Sequence, residues 1–577
     1  TSIIYSELKA DKFSIVTFYE RRARRILPLL FCVLLATLPF AWISLYQVDI
    51  IDYFQSLVAV PTFASNVLFV IKADYFDTSA NLKPLLHTWS LAVEEQYYVF
   101  FPVFMILSWK FLKPKAILPL TVLIGLISFV LSEVGSTVLP EYNFYLLPTR
   151  TWELAVGAVL AIVVSSRIEW YSNLKNDKKI SQFLSIVGFA MIVFGMFYID
   201  EETPFPGSYA LLPTVGSMLI IGFASPTNFI GKILSLRPLV AIGLTSYSAY
   251  LWHHPLFAFA KHLSYSEITL IQKSLLCFAV FPLSYVTWRF VENPFRNKKR
   301  FSKKFIFVFS LAGSFFFISV GVAGVVFDGF PNRSVNTEMA IRKYKPDNRK
   351  LKKDSWEKLN QEKKKVGTGA WFNASNKRPN LLLVGNSHSK DLYNTLTSSK
   401  QAVNNFEIGQ SIAQVCDLTD SNHDLFKSKS YDDSDIIVLA SRYRKEDLPF
   451  ISDAVEKFLT DNKKVAIVKE IHNFKVINGR TEADVIIHEY HNSKGLNIDS
   501  DFDGVVDAIN KAYYQDYITR SYMVKEQSDS IINLIQTNHP EVIVLDRMKY
   551  VCDDSSKKCF AIDDERQKFF YDYGHNS

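Results

Sequence analysis

The first half of the chain is dominated by long apolar runs, and the second half is not. A helix needs about 20 predominantly apolar residues to cross a bilayer, and nine runs before residue 328 approach that length. The nine runs are 26–45, 97–109 with its upstream shoulder, 116–134, 150–166, 182–199, 208–224, 238–260, 269–290 and 305–327. Helices buried in a protein core could mimic one or two such runs, but not nine in sequence. The pattern therefore predicts a multi-span α-helical membrane domain.

Basic residues between the predicted spans indicate which loops face the cytoplasm. Lysine and arginine cluster at 21–25 and at 296–304, just before the first and last spans, whereas the loop at 200–202 is acidic. The basic loops alternate correctly only if segment 52–71, a weaker apolar run, does not cross the membrane. We therefore expect that segment to be re-entrant or superficial, and everything after residue 327 to be extracytoplasmic.

Beyond residue 377 the pattern changes to short apolar strands separated by helix-like stretches. Strand candidates are 381–384, 406–408, 436–439, 465–468 and 542–545, and helix candidates are 448–461 and 522–538. This alternation predicts an α/β domain with a parallel sheet and helices on both faces. Residues 328–377 are polar and basic, with Lys363, Lys364 and Lys365 in a row. We interpret them as a linker or as an extension that packs on the next domain.

Length, charge and cysteine content narrow the classes of function. The 577 residues are too many for one domain, and a net charge of +7 does not by itself suggest a nucleic-acid partner. Cys552 and Cys559 flank a short polar stretch and could form a disulfide in an oxidising compartment, with two unpaired thiols as the alternative. The sequence has no paired Cys/His spacing of a zinc site, so we expect no metal. Residue 1 is threonine rather than methionine, and the sequence does not open with a signal-peptide pattern, so we expect the natural N-terminus to lie upstream.

Polar residues inside the apolar half are candidates for function, because charged groups are costly in a bilayer. They form three groups, which are His87 with Glu94 and Glu95, Arg150 with Glu153, and His253 with His254. Glu94 and Glu95 point about 100° apart on a helix, so one could anchor the helix through an arginine while the other polarises a substrate. Either His253 or His254 could be a catalytic base. A buried structural network is the alternative for every member of these groups.

Arg22 and Arg25 lie three residues apart and share one face of the predicted first helix. Two guanidinium groups in this arrangement suit the phosphate groups of coenzyme A. Anchoring by the positive-inside rule is the alternative, and it alone would explain the arginine cluster.

The soluble half carries a candidate catalytic triad. Strand 381–384 ends in Gly385, Asn386, Ser387 and His388, and α/β folds place their chemistry at such strand ends. The chain closes with Asp572 and His575 in a D-x-x-H spacing, which allows the aspartate to orient a histidine that activates the serine. Backbone N–H groups at the start of the following helix could stabilise an oxyanion.

Five motifs of the apolar half resemble the acyltransferase-3 family of membrane acyltransferases. They are FYERRARRILP, HTWSLAVEEQYY, PTRTWELAVGAVLA, SYSAYLWHHPL and WRFVENPFR, and the resemblance covers roughly residues 15–297. The resemblance implies transfer of an acyl group, usually acetyl from acetyl-CoA, across the membrane to an extracytoplasmic carbohydrate. The family begins with a helix that bears an arginine and a catalytic histidine, followed by a glycine-rich helix. This sequence contains neither helix, so we expect it to lack that histidine.

Residues 378–577 resemble the SGNH hydrolase-like domains that are found fused to acyltransferase-3 domains. Ser387, Asp572 and His575 match the triad of that family, although Asn386 replaces the aspartate of its usual GDS block. The resemblance implies two further oxyanion donors. We expect Gly409 to be the second-block glycine, and Ser441 or Arg442 to substitute for the third-block asparagine.

These observations predict an O-acetyltransferase with four parts. They are a membrane domain at 1–304, an additional transmembrane helix at 305–327, a linker or extension at 328–377, and a periplasmic SGNH-like domain at 378–577. The expected partners are the lipid bilayer of a bacterial inner membrane, acetyl-CoA, and an envelope polysaccharide acceptor, lipid-linked or free. Lipopolysaccharide O-antigen is the first candidate acceptor, and peptidoglycan or an exopolysaccharide is the second. A carbohydrate acetyl esterase and a glycan transporter are the alternatives of another class.

Overall fold

The computed structural model describes residues 1–72, 80–112, 114–200, 203–333, 347–366, 371–372, 378–494, 502–563, 565, 567–572 and 574–575. Glu201, Glu202 and three parts of the predicted linker, 334–346, 367–370 and 373–377, lie outside the described residues. The chain separates into two compact units. The first takes in Thr1–Leu45, Asp49–Leu263 and Ile268–Pro331, and the second takes in Tyr46–Val48, Ser264–Glu267 and Asn332–Ser577.

The first unit is built from helices. They are α1 Ser2–Lys9, α2 Ile15–Ser44, α3 Gln47–Ala59, α4 Ser65–Lys72, α5 Thr88–Phe111, α6 Ile117–Val138, α7 Pro140–Tyr145, α8 Leu147–Ser165, α9 Glu169–Asn176, α10 Lys178–Tyr198, α11 Leu211–Phe223, α12 Phe229–Leu234, α13 Arg237–Leu263, α14 Leu270–Thr287, α15 Asn293–Arg296 and α16 Lys303–Val326. A π-helical turn, Trp288–Glu292, joins α14 to α15.

All nine predicted runs are helical. Among the described residues, six helices are long and apolar enough to cross a membrane, namely Ile15–Ser44, Pro114–Val138, Pro140–Ser165, Lys178–Tyr198, Leu270–Arg296 and Lys303–Val326. Of the other three, α5 and α13 have 24 and 27 residues but carry the polar groups that the sequence singles out. Helix α11 has 13 residues.

The first long helix begins at Ile15 rather than at 26, because its amino end is held by local polar contacts. Ser14 is the N-cap and accepts a hydrogen bond from the Thr17 amide at 3.4 Å. Glu20 and Arg24 then form a buried i,i+4 ion pair at 2.8 Å. The basic run before the predicted span is therefore a helical extension of it.

The weak segment 52–71 is not one continuous helix. It is divided between α3 and α4, with Pro61 in the turn that separates them. Asn66, a polar residue that weakens the apolar pattern of this segment, is fully buried and donates to the Tyr145 carbonyl at 3.1 Å.

The second unit is an α/β domain. Its helices are α17 Asn348–Val366, α18 Ser387–Ser398, α19 Lys400–Asn405, α20 Lys429–Asp432, α21 Ile451–Thr460, α22 Glu482–Lys494, α23 Phe502–Thr519, α24 Met523–Asn538 and α25 Met548–Val551. Its strands are β1 Asn380–Gly385, β2 Glu407–Ile412, β3 Ile436–Leu439, β4 Lys464–Val468, β5 Val476–Ile477, β6 Arg480–Thr481, β7 Ile543–Leu545, β8 Cys552–Asp553 and β9 Lys558–Cys559.

Five of these strands form a parallel sheet in the order β2-β1-β3-β4-β7, which confirms the predicted fold class. The strands are near-continuous apolar runs, as expected where both faces of a sheet are covered. Leu382 and Leu383 of β1 are completely buried. Because β1 pairs with β2 on one side and β3 on the other, the chain changes direction of winding at β1. The carboxyl end of β1 is thus the topological switch point, where doubly wound folds bind their ligands.

Two peripheral elements complete the second unit. Helix α17 lies within the stretch that the sequence leaves as linker or extension, and it buries Trp356 and Leu359. The short antiparallel hairpin of β8 and β9 places Cys552 directly opposite Cys559, and the two form a disulfide.

Candidate active site

The turn after β1 presents Ser387 at the switch point, and its shape depends on Gly385. Gly385 has a φ of +147°, a region that is essentially restricted to glycine. A Cβ atom there would lie 2.1 Å from the carbonyl oxygen of Ala440, just after β3. Only glycine therefore allows the two strands to approach each other while the chain turns into α18, whose first residue is Ser387.

Asn386, which stands where the family pattern has aspartate, fastens this turn to the end of β3. Its side-chain amide donates to the Arg442 carbonyl at 2.8 Å, and its side-chain oxygen accepts from the Arg442 amide at 2.9 Å. An aspartate could accept but could not donate in this pair. The asparagine is therefore matched to the backbone that it contacts.

His575 and Asp572 complete the predicted triad. The Ser387 hydroxyl lies 2.7 Å from His575 Nε2, and His575 Nδ1 lies 2.8 Å from Asp572 Oδ2. The other carboxylate oxygen, Oδ1, accepts from the amides of Gly574 and His575 at 3.1 and 2.8 Å. The structure thus brings together three residues that are up to 188 positions apart in the chain.

The electrostatics of the pair suit general-base catalysis. Burial alone would raise the pKa of Asp572, but hydrogen bonds from the His575 side chain and from the two amides hold the pKa below its ordinary value. A carboxylate only accepts hydrogen bonds, so Nδ1 of His575 carries the proton and Nε2 is the acceptor that faces Ser387. This is the tautomer that can take the serine proton.

The predicted oxyanion donors fare differently. Gly409 lies within β2, opposite Leu382 and five residues before the level of Ser387, so the prediction that it serves the oxyanion is wrong. The residue type of Gly409 does not reveal the register in which β2 pairs with β1. Ser441 and Arg442 do follow the end of β3, where the Arg442 backbone contacts Asn386. They stay candidates.

The helix-start amides are also partly engaged. The amide of His388 donates to the Asn386 side chain at 3.3 Å, and that of Ser389 donates to the Asn386 carbonyl at 3.0 Å. These bonds cap α18. The two amides therefore already have acceptors, whereas the sequence suggests that they are available to an oxyanion.

In the first unit, Arg22 and Arg25 line a cavity of about 390 Å³ together with other basic residues. The remaining basic side chains of the lining are those of Arg21, Arg24, Arg296 and Lys298. Arg24 has a structural role, since it pairs with Glu20 and donates to the carbonyls of Phe295 and Phe301. Arg22 instead lies over the ring of Tyr98 at 3.6 Å, and Arg25 is exposed.

The two adjacent carboxylates have separate environments, as their angular spacing predicts. Glu94 accepts a short hydrogen bond from Tyr98, the residue whose ring carries Arg22. Glu95 is buried, and its Oε1 has no hydrogen-bond partner among the described residues. Glu94 therefore connects to the arginine cluster through Tyr98.

The three candidate histidines of the first unit come together, although His87 is far from the other two in sequence. The ring of His87 lies 5.5 Å from that of His253 and 5.4 Å from that of His254. His254 contacts the Lys83 carbonyl at 2.9 Å, and His253 contacts that of Tyr250 at 2.6 Å. Both ring nitrogens of His87 are buried without a hydrogen-bond partner in the described part of the chain. No group of side chains arranged to hold a metal ion occurs among the described residues.

Arg150 and Glu153 form an ion pair at 2.8 Å, one turn apart on α8. The guanidinium group is buried and is surrounded by the rings of Trp89, Phe144 and Phe205 at about 5 Å. It also donates to the Phe144 carbonyl at 2.8 Å. These contacts describe a packed structural pair.

Each of the two units of the chain matches a known protein family. Residues 5–289 match the family described as an acyltransferase domain, and residues 357–577 match the SGNH domain that is fused to AT3 domains. The chain belongs to the acyltransferase-3 proteins with a fused SGNH domain. The SGNH match begins inside α17, so that helix is partly included in the family's own domain.

Curated relatives of this fusion protein are named as O-acetyltransferases, and two of the three described below carry peptidoglycan in their names. The chain is 30% identical over 310 residues to the putative peptidoglycan O-acetyltransferase YrhL of Bacillus subtilis, which is 50% of this chain and 47% of that protein. It is 28% identical over 311 residues to the O-acetyltransferase OatA of Staphylococcus aureus, with 52% and 50% covered. It is also 28% identical over 307 residues to the peptidoglycan O-acetyltransferase OatA of Listeria monocytogenes, with 50% and 47% covered. The chain thus spans about half the length of the curated relatives it matches. No solved structure matches it significantly.

Sequence reasoning missed a histidine that contacts the triad and a buried carboxyl group that follows β4. His388 is buried edge-on against His575, with ring centroids 4.9 Å apart, and burial together with the nearby His575 holds its pKa well below the ordinary value. Glu470 follows β4 and is 2% exposed, and burial raises its pKa to about 7. The sequence signal was position: His388 directly follows the nucleophile, and Glu470 lies two residues after the end of β4. Many loop residues share such positions.

Proposed function

We propose that the chain is an O-acetyltransferase of a bacterial cytoplasmic membrane, which takes acetyl groups from acetyl-CoA and places them on hydroxyl groups of peptidoglycan. The observation that carries the proposal is the hydrogen-bonded series from Ser387 Oγ through His575 to Asp572. A triad of this geometry activates a serine for acyl transfer. Its presence in one chain with an acyltransferase-3 domain supports transfer rather than simple cleavage.

The triad would act in two balanced steps. In the first step, Ser387 Oγ attacks the acetyl carbonyl while His575 Nε2 takes the hydroxyl proton and passes it to the departing group. An acetyl-serine results. In the second step, a sugar hydroxyl gives its proton to His575 and attacks the acetyl-serine, so that Ser387 leaves with the proton and the sugar ester is formed. The negatively charged Asp572 stabilises the imidazolium in both steps.

The basic cavity of the first unit supports acetyl-CoA as the donor. Five arginines and a lysine around about 390 Å³ provide a site for several phosphate groups. Arg22 and Arg25 are the members of this set best suited to bind, since Arg24 is held by carbonyls and Arg21 pairs with Glu7 at 2.8 Å. The acetyl group would then pass to Ser387 or directly to the glycan.

The acceptor proposed here is the second candidate of the sequence reasoning, not the first. The relatives from Bacillus and Listeria carry peptidoglycan in their names, and none of the three relatives described above is named for O-antigen. Peptidoglycan lies outside the cytoplasmic membrane, which agrees with the expected extracytoplasmic SGNH domain and with its Cys552–Cys559 disulfide.

The decisive experiment measures base-labile acetate on purified peptidoglycan and on the other envelope polysaccharides of the host. Strains would carry the wild-type chain, Ser387→Ala, or Ser398→Ala, which removes a serine from the other end of the same helix. We expect acetate on peptidoglycan to disappear with Ser387→Ala alone. Unchanged acetate would mean that the membrane domain acetylates the glycan directly. Increased acetate would identify the SGNH domain as an esterase, the second function that a serine triad supports.

A second experiment tests the donor. Acetyl-CoA binding to the detergent-solubilised chain should weaken at least tenfold in Arg22→Ala and in Arg25→Ala, because each removes a charge-assisted contact to phosphate. Arg237→Ala, an exposed arginine that does not line the cavity, is the matched control. Equal affinity in all four proteins would exclude the cavity as the donor site.

A further inference from the structure

Lys390 is a completely buried lysine three residues after the nucleophile. Its side chain is 0% exposed, and burial of an ammonium group is costly unless partners compensate it. The triad mechanism uses Ser387, His575 and Asp572 and assigns nothing to this lysine. Its contacts therefore show which interactions offset the free-energy cost of burying the ammonium group.

The lysine joins three separate parts of the SGNH domain. Its Nζ lies 2.5 Å from Oδ1 of the neighbouring Asp391, as an ion pair rather than an aligned hydrogen bond. It donates to the hydroxyl of Ser355 on α17 at 2.9 Å, and it lies 5.2 Å from the ring centroid of Trp356 on the same helix. It also donates to the Tyr571 hydroxyl at 3.2 Å.

Tyr571 carries this network to the catalytic histidine. Its ring is parallel to the His575 imidazole, with an interplanar angle of 5° and centroids 5.8 Å apart. Its backbone amide donates to the His575 carbonyl at 3.2 Å, which closes the turn that contains Asp572. His388 contacts the same imidazole with its ring at 71°. The imidazole is thus confined by two aromatic neighbours, and one of them is fixed by Lys390.

We propose that Lys390 is a positioning residue, which holds His575 in line with Ser387 by fixing the Tyr571 ring, and that α17 takes part through Ser355 and Trp356. The inference rests on the proposed roles of Ser387 and His575. Catalysis is sensitive to such positioning because a displacement of about 1 Å at a reacting group can reduce the rate about a hundredfold. A lysine that only stabilised the fold would leave the turnover of the folded protein unchanged.

The domain supplies a matched control. Lys568 is equally buried, pairs with Asp484 at 2.6 Å, and bonds Asn348 of α17 at 2.5 Å. It therefore also connects α17 to the domain, through a hydrogen bond to Asn348 and an ion pair with Asp484. Loss of either lysine should cost comparable stability, but the hydrogen bond to the Tyr571 hydroxyl is made by Lys390.

The test compares Lys390→Met, Tyr571→Phe, the double variant and Lys568→Met in the full chain, with hydrolysis of 4-nitrophenyl acetate as the readout. We expect each of the first two to lower kcat about tenfold or more while KM stays within about twofold. The double variant should be no slower than the slower single variant, because both changes break the same hydrogen bond between Lys390 and Tyr571. Folded Lys568→Met should keep its kcat.

Several outcomes would overturn the inference. It fails if Lys390→Met or Tyr571→Phe keeps kcat within twofold, or if the two losses multiply in the double variant. If Lys390→Met does not fold, Tyr571→Phe decides, because it keeps the ring on His575 and removes only the hydroxyl. Ser387→Ala is measured alongside. If that variant retains hydrolysis, the proposed function fails, whereas if it is inactive and Tyr571→Phe is fully active, only the positioning role fails.

Discussion

Replacing Asp572 by asparagine should disable the triad without disturbing its geometry. Oδ1 of Asp572 accepts from the Gly574 and His575 amides, so the asparagine oxygen is held in that position. Its NH₂ group must then occupy the place of Oδ2, 2.8 Å from His575 Nδ1. Oδ1 also lies 3.0 Å from Nδ1, but the two lone pairs of an amide oxygen there are already used by the two backbone amides. Nδ1 therefore faces the NH₂ donor, and the proton of the imidazole moves to Nε2. His575 then presents an N–H to Ser387 and cannot accept its proton.

The expected loss in kcat is about a thousandfold to ten-thousandfold, as for a triad histidine held in the wrong tautomer. That loss corresponds to about 4 to 5.5 kcal/mol of transition-state stabilisation. Hydrolysis of 4-nitrophenyl acetate by the purified chain measures it, with KM and the unfolding temperature expected to stay close to wild type. Asp572→Ala should lose the turn as well, and therefore both activity and thermal stability.

A matched pair elsewhere in the domain provides the control. Asp516 lies 3.1 Å from His472 Nε2 and is not part of the triad. Asp516→Asn should therefore leave kcat within about twofold, although it changes an aspartate–histidine contact in the same way. If Asp572→Asn keeps more than a tenth of wild-type kcat, Asp572 does not set the tautomer of His575.

Three further predictions follow from local geometry. Gly385→Ala should destabilise the SGNH domain by about 3 kcal/mol or more, because it adds positive-φ strain to a clash with the Ala440 carbonyl, and thermal unfolding would show this. The pKa of Glu470 is raised to about 7 by burial, so the folded state holds a proton that the unfolded state loses above pH 4.5, and stability falls as pH rises from 4.5 through 7. Glu470→Gln should remove this slope and raise the unfolding free energy at pH 8 by about 3 kcal/mol. Arg22→Lys should bind acetyl-CoA more weakly than wild type, since lysine cannot make a bidentate phosphate contact.

Each of these has a control in the same chain. Gly157→Ala adds a Cβ to open space and should not destabilise, so an equal loss in both glycine variants would contradict the clash. Glu456, an exposed carboxylate, gives a Glu→Gln change that should leave the pH slope intact. Wild-type affinity in Arg22→Lys would show that phosphate is not bound bidentately by that side chain.

Residue order alone determined the features that depend on local chemistry. Nine long apolar runs became helices, and alternating strand and helix stretches became a parallel sheet. The cost of an exposed apolar face or an unpaired backbone in a bilayer leaves few alternatives for such runs. Ser387, Asp572 and His575 were predictable for a similar reason. A strand-end serine and a terminal D-x-x-H carry their chemical types in the sequence, and the structure needed only to bring them together.

Features that depend on register or on side-chain packing could be decided only by the tertiary structure. Gly409 has the right residue type for an oxyanion donor, but the β1–β2 pairing places it opposite Leu382, within the sheet. In the sequence Lys390 is an ordinary helical lysine, and only the structure shows that α17 and Tyr571 enclose it. Arg296 is far from Arg22 in sequence, yet both line one cavity. Periodicity and residue type restrict each segment by itself, whereas these contacts join segments distant in sequence, and only long-range packing fixes which of them meet.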